Sequence, residues 1–189
     1  DGIISQSRLS STRTAERLAA MGLYALDAPV SGGTKGANAA ALTMMCSGDE
    51  AVLARARPAL DAMGSRIFDC GRAAGMGSTA KMINQLLCGV HIAAAAEAMH
   101  LAERAGVSTA TMHEIISVSA GNSWMWGDRG PRMMQADPAV TSAVDIFVKD
   151  LGIVLDAART LAFPLPLAAA AHQLCLATAA AGPGNEDDE

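Results

Sequence analysis

Lys81, Asn84, Gln85 and Cys88 lie three and four residues apart in a segment that opens on a glycine hinge, Gly75-Met76-Gly77-Ser78-Thr79-Ala80-Lys81-Met82-Ile83-Asn84-Gln85. Residues at that spacing share one face of a helix. One ammonium therefore stands beside two carboxamides, a group that can move a proton next to groups that can hold an oxygen. The chemistry indicated is acid–base work on a hydroxyl or carbonyl. A lysine near its free pKa of about 10.4 is a poor base at neutral pH. The reading therefore expects burial or neighbouring positive charge, with Lys149 as the candidate neighbour, to lower it.

A second motif, Asp27-Ala28-Pro29-Val30-Ser31-Gly32-Gly33, ends an apolar run over 23–30 with a serine and a glycine pair. Strand ends of this kind are where open α/β sheets place ligands. Gly32 and Gly33 let the backbone approach a bound group and aim amides at it, and the Ser31 hydroxyl can donate to the same anion; a carboxylate is the natural occupant. A tight turn that needs glycine for its dihedrals accounts for the same residues equally well.

The first of these two motifs has the form GxGxxxK. The pair is followed by Ala120-Gly121-Asn122-Ser123-Trp124-Met125, by Val144-Asp145-Ile146-Phe147-Val148-Lys149-Asp150-Leu151-Gly152-Ile153-Val154-Leu155-Asp156 and by Phe163-Pro164-Leu165-Pro166-Leu167-Ala168. Together they resemble the β-hydroxyacid dehydrogenases, the family of 3-hydroxyisobutyrate dehydrogenase and tartronate semialdehyde reductase, over nearly the whole chain. The later segments look most like the branch of that family that oxidises L-threonate.

The resemblance implies NAD-dependent oxidation of a small hydroxy acid, with NADP left open. L-Threonate, giving its 2-oxo acid, is the expected substrate, and 3-hydroxyisobutyrate or tartronate semialdehyde the alternatives. It assigns Lys81 as the proton-transfer residue, Ser31, Gly32 and Gly33 as binders of the substrate carboxylate, and Asn122 to the substrate cleft. Lys149 and Thr12 fall beside the cofactor. Asn84 or Gln85 orients the substrate, since many members carry their asparagine four residues after the lysine, where Gln85 stands here. The family's nucleotide-binding half opens with a strand, a GxGxxG turn and a helix; residues 1–30 contain no such fingerprint, and the final residues 182–189 resemble a loop that normally leads into a last helix. The chain is therefore expected to be a fragment of a longer enzyme.

The elements that must position these residues alternate at first. A helix is expected over 12–21 with Gly22 at its end, strands over 23–30 and 42–46, a helix over 49–63 and a last strand over 66–70. That alternation reads as the trailing part of a doubly wound, Rossmann-type nucleotide-binding domain over 1–72. From Gly75 strand signals vanish. Helices are expected over 76–105 with Gly106 as cap, 108–119, a shorter broken one over 122–134 containing Pro131, 143–161 and 165–180. Residues 73–189 thus form an all-α domain, by resemblance of the 6-phosphogluconate-dehydrogenase type, and the fold class is α/β plus all-α.

Composition bounds the rest. Hydrophobic residues make up 51% of 189 residues and charged ones 17%, ample for a packed core. The net charge of −5, the absence of a dense basic block and an aromatic content of 3% give a nucleic-acid surface little support. No run of eighteen charge-free apolar residues suggests a membrane span, and the cytoplasm is the expected compartment. Cys46, Cys70, Cys88 and Cys175 form no CxxC pair and read as reduced thiols; the four histidines are scattered, so no metal site is expected. The alanine- and leucine-rich stretches 86–102 and 165–181 suit a core or a subunit interface, and a homo-oligomer through the helical domain is expected. A non-catalytic helical assembly module is the alternative of another class.

Overall fold

The computed structural model describes residues 8–135 and 144–181. They form two compact units that part between Asn84 and Gln85. Strand signals end near residue 72, yet the first unit extends to residue 84, because the opening turns of the long helix bond to it.

In the first unit α1 (Arg8–Ala20) ends where Gly22 adopts φ +72°. The Leu23 N–H reaches the Leu18 carbonyl at 2.9 Å and the Gly22 N–H the Ala19 carbonyl at 3.0 Å, a Schellman closure that uses a left-handed glycine. The strand expected over 23–30 shrinks to β1 (Val30–Ser31) plus an isolated bridge between Asp27 and Ser47. Pro29 has no N–H to give a ladder, and Leu23 and Tyr24 face solvent. After α2 (Gly33–Asn38) come β2 (Leu42–Cys46), α3 (Glu50–Met63) and β3 (Gly64–Asp69).

The sheet runs in the order β1-β2-β3. β2 and β3 are parallel, joined through α3, and β1 lies antiparallel to β2. The register sets Val30 and Ile67 on either side of Met44. Met44, Cys46 and Leu60 are the buried centre, packed by Leu26, Leu53 and Ile67. Asp49 caps α3 by accepting from the Ala51 and Val52 amides, as expected for a residue just before a helix.

α4 (Met76–Arg104) ends as expected at Gly106, φ +78°. The helical unit continues with α5 (Thr109–Ser117), α6 (Trp124–Met133), α7 (Val144–Thr160) and α8 (Pro166–Ala181). Ser108 and Ser123 cap α5 and α6. α6 runs unbroken through Pro131, at the cost of the one N–H bond that residue 131 would otherwise make to the carbonyl four residues back. Ile92, Met125 and Phe147 form one core cluster and Ala95, Met99 and Trp126 another. His113 stacks on Trp126, with ring centroids 5.7 Å apart. A Cβ at Gly89 would sit 2.9 Å from Leu151 Cδ1, so α4 and α7 approach closely there. His172 ties α8 to the Val148 carbonyl of α7 at 3.0 Å. By length and composition α4 is apolar enough to cross a membrane, but its buried stripe carries Lys81 and Gln85, polar groups held among protein neighbours.

Candidate functional site

The two motifs singled out in the sequence are bonded to each other at their bases. α4 begins without a capping side chain of its own, so its first N–H groups need partners from elsewhere. The Gly77 N–H donates to Ser47 Oγ at 2.9 Å and the Ser78 N–H to Asp27 Oδ2 at 2.8 Å. The Ser47 hydroxyl in turn donates to Asp27 Oδ2 at 3.1 Å and the Ser78 hydroxyl to Asp27 Oδ1 at 2.6 Å. Thr79 then starts the intrahelical ladder by donating to the Gly75 carbonyl at 2.9 Å. Asp27 opens the Asp27–Gly33 motif and Ser78 lies inside GxGxxxK, so this junction sets the origin of both.

The glycines of GxGxxxK have separate tasks. Gly75 takes φ +90°, which swings the chain into the helix. Gly77 permits contact: a Cβ there would collide with the Met45 carbonyl oxygen and stand 3.1 Å from Asp27 Oδ2. From this junction α4 carries Lys81, only 9% exposed, and half-buried Asn84. The other arm ends at Ser31, paired across the sheet with Thr43, followed by Gly32 at φ +131° and Gly33 at φ +57°. Gly33 borders open space, which leaves this turn accessible.

In the helical unit Gln85 and Lys149 meet on Asp150. The Asp150 carboxylate is 2% exposed; its Oδ2 accepts from Gln85 Nε2 at 2.7 Å, and its Oδ1 lies 3.1 Å from Lys149 Nζ, whose side chain is 55% exposed. Lys149 thus presents a cation to solvent while anchored on a buried anion. Asn122 instead donates from Nδ2 to the Ser117 carbonyl at 2.9 Å, and it lines a depression of about 530 Å³ with Ser117, Ser123, Trp124, Gly127 and Asp128. Thr12 donates to the Ala74 carbonyl at 3.1 Å, bracing the turn before α4.

Read as letters, Gly75-Met76-Gly77-Ser78-Thr79-Ala80 satisfies G-x-G-x-x-A, the turn that cradles a dinucleotide pyrophosphate at a helix N-terminus. Here the amides of that turn are engaged by Ser47 and Asp27, and a carboxylate already stands where a phosphate would come. This turn does not fit a pyrophosphate. Among the described residues no three His, Cys, Asp or Glu side chains gather as metal ligands. Sequence reasoning quoted Asp27, Ser78 and Asp150 only as motif letters and did not consider Ser47; the signal for Asp27 and Asp150 was a carboxylate inside an otherwise apolar stretch, which must find donors when buried.

Comparison with known proteins agrees with this architecture. Residues 4–71 match the family described as the NAD binding domain of 6-phosphogluconate dehydrogenase, and residues 75–189 the family described as NAD-binding of NADP-dependent 3-hydroxyisobutyrate dehydrogenase. An L-threonate dehydrogenase of Cupriavidus necator is 53% identical over 172 residues, 91% of this chain and 58% of that protein. The crystal structure of a 3-hydroxyisobutyrate dehydrogenase from Salmonella typhimurium superposes with a TM-score of 0.91 at 48% identity, covering 96% of this chain and 64% of that one. A Mycobacterium tuberculosis 3-hydroxyisobutyrate dehydrogenase gives a TM-score of 0.82 at 35% identity, with coverage of 96% and 64%. The chain thus spans less than two thirds of the length of these relatives. With the tail of a Rossmann-type domain followed by a 6-phosphogluconate-dehydrogenase-like helical domain, it belongs to the 3-hydroxyisobutyrate dehydrogenase-like family of β-hydroxyacid dehydrogenases.

Proposed function

We propose that the complete protein oxidises a small hydroxy acid, L-threonate to its 2-oxo acid, with Lys81 moving the proton. The observation that carries the reading is a lysine only 9% exposed, in the second turn of a helix whose entry is bonded to the strand-end motif. Lysines are seldom so buried, and one held out of water suits a proton-carrying task. The name of the Cupriavidus relative supports the choice of substrate.

In the oxidising direction Lys81 takes the hydroxyl proton as the C–H bond gives up its hydride; in the reverse direction it returns that proton to the carbonyl oxygen. Bound NAD supplies the hydride acceptor. Ser31 with the backbone of Gly32 and Gly33 holds the substrate carboxylate. Asn84, three residues after Lys81 on the same helix face, orients the reacting oxygen. Asn122 lines the substrate cleft, Lys149 offers its ammonium to the cofactor, and Thr12 braces the cofactor side through Ala74.

Two further readings have an observation each. A 3-hydroxyisobutyrate dehydrogenase is favoured by the Salmonella structure; tartronate semialdehyde is the other candidate of that type. Association through the helical unit is favoured by Leu101, 69% exposed on α4, and Leu167, 70% exposed on α8, apolar area of the kind that copies of a chain cover. We place the protein in the cytoplasm on its four free thiols.

The test is turnover of the complete gene product with L-threonate or 3-hydroxyisobutyrate and NAD or NADP, and with tartronate semialdehyde, which must be reduced, and NADH or NADPH. L-Threonate with NAD is expected to react, and Lys81→Ala to lower turnover by about 10² to 10⁴. Preference for 3-hydroxyisobutyrate or for NADP would replace the substrate or the cofactor. Silence with all three acids, together with a defined oligomer by sedimentation, would favour the non-catalytic assembly module.

A further inference from the structure

We propose that Asp27 is a positioning residue for proton transfer: by gripping the first turn of α4 it sets the place from which Lys81 works, an inference that rests on the reading of Lys81 above. Its carboxylate meets donors only. The Ser78 amide and the Ser47 hydroxyl point at Oδ2, at 2.8 and 3.1 Å. The Ser78 hydroxyl points at Oδ1 at 2.6 Å, and the Ser11 hydroxyl lies 3.2 Å from the same oxygen and 2.9 Å from Ser78 Oγ. An ionised carboxylate offers acceptor sites to all of them, whereas a carboxamide must turn its NH₂ toward at least one donor. Ser47 and Ser78 are 1% and 2% exposed, while half-buried Asp27 borders, with Ser11 and Ser78, a cavity of about 510 Å³.

Lys81 follows Ser78 by three residues, on the same face and about 4.5 Å further along the axis. Between the two the helix is continuous, so a shift or rotation at Ser78 passes to Lys81 nearly undiminished. Gly77 makes the entry sensitive to such a shift, because its Cα runs directly against the Met45 carbonyl and α4 has no side chain there to set its own depth. The carboxylate supplies the depth and the helical phase that Gly77 cannot. Misplacing a catalytic group by about 1 Å can cost about a hundredfold in rate.

The experiment compares Asp27→Asn, Ser78→Ala and Lys81→Ala in the complete gene product, with L-threonate and NAD. Steady-state constants, the solvent deuterium isotope effect on kcat and thermal melting are measured for each. Asp27→Asn is expected to fold, to keep KM for NAD within about twofold, to lose about 10- to 100-fold in kcat and to raise the solvent isotope effect as proton transfer slows. Ser78→Ala is expected to show the same pattern with a smaller loss, because the backbone N–H still reaches Oδ2.

A folded Asp27→Asn with kcat and isotope effect unchanged would overturn the inference, as would a loss confined to KM or to melting temperature. Should Asp27→Asn fail to fold, Ser78→Ala and Ser11→Ala carry the same test, and normal kcat in both would overturn it. Lys81→Ala separates the two levels of argument. An inactive Lys81→Ala beside a fully active Asp27→Asn removes only the positioning role, whereas normal turnover in Lys81→Ala removes the reading on which it rests.

Discussion

Gln85 and Asp150, 65 residues apart in the chain, are joined by a buried hydrogen bond of 2.7 Å from Nε2 to Oδ2. Two exposed groups at this distance would contribute little; here the carboxylate is 2% exposed and its other oxygen faces Lys149. Removing the amide leaves a buried anion with one partner fewer, at a cost of about 1–3 kcal/mol. Gln85→Ala should therefore lower the urea midpoint of the helical unit. Gln85→Glu should lower it further at pH 7, because two carboxylates then face each other. A carboxyl whose pKa is raised in the folded state holds its proton more tightly there than when unfolded, so the Gln85→Glu deficit should shrink as pH falls. Equal midpoints for wild type and both variants at pH 7 would contradict this account.

Gly77 and Gly127 should respond oppositely to the same added methyl group. At Gly77 the new carbon meets the Met45 carbonyl, backbone that cannot turn aside, so Gly77→Ala should cost more than about 2 kcal/mol. At Gly127, inside α6, no atom lies within 4 Å of the new Cβ. There the helix gains propensity, and Gly127→Ala should stabilise by about 0.5–1 kcal/mol. Calorimetric melting of the two variants decides the matter. A Gly77→Ala protein that melts with wild type would mean that α4 can lift from β2 at little cost.

Cys46 should be slow to alkylate until the protein unfolds. It is fully buried; burial, with smaller contributions from Cys70 and Asp69, pushes its thiol above the ordinary value, and burial followed by Asp69 does the same for Cys70. The thiolate is the nucleophile, so raising the pKa lowers the reactive fraction at a given pH. Pulse labelling with iodoacetamide at pH 8, read by peptide mass spectrometry, should find Cys46 unmodified in native protein and labelled in urea. Rapid labelling without denaturant would show that the β2 core opens readily.

Much of this was legible because local rules and the fold agree. Gly22 and Gly106 closed their helices where predicted, and Ser108 stands at the start of α5, where a helix was expected to begin. The failures came where tertiary bonding overrides local pattern. The apolar run 23–30 reads as a strand, yet Pro29 has no N–H to give, so the ladder to β2 is interrupted between Val30 and the two-way backbone pairing of Asp27 with Ser47. Gln85 reads as a neighbour of Lys81 on one stripe. Only the three-dimensional structure shows that its amide is directed at Asp150, a partner that helical spacing along α4 could not reveal.

Ser31 and Asn84 should therefore separate from Gln85 in kinetics. Ser31 ends β1 beside the open, glycine-bearing turn, and Asn84 follows Lys81 by three residues on α4, so both suit contact with substrate under the proposed reaction. Ser31→Ala and Asn84→Ala should each weaken hydroxy-acid binding by about 1–3 kcal/mol, the scale of a hydrogen bond to a charged group. That corresponds to a KM rise of roughly 5- to 150-fold, with the melting temperature little changed. Gln85→Ala should do the reverse, losing melting temperature first, because its carboxamide holds a buried carboxylate. Steady-state kinetics and melting curves on the three variants of the complete gene product make the comparison. A rise in KM for Gln85→Ala at unchanged melting temperature, with Asn84→Ala silent, would exchange the roles of the two amides.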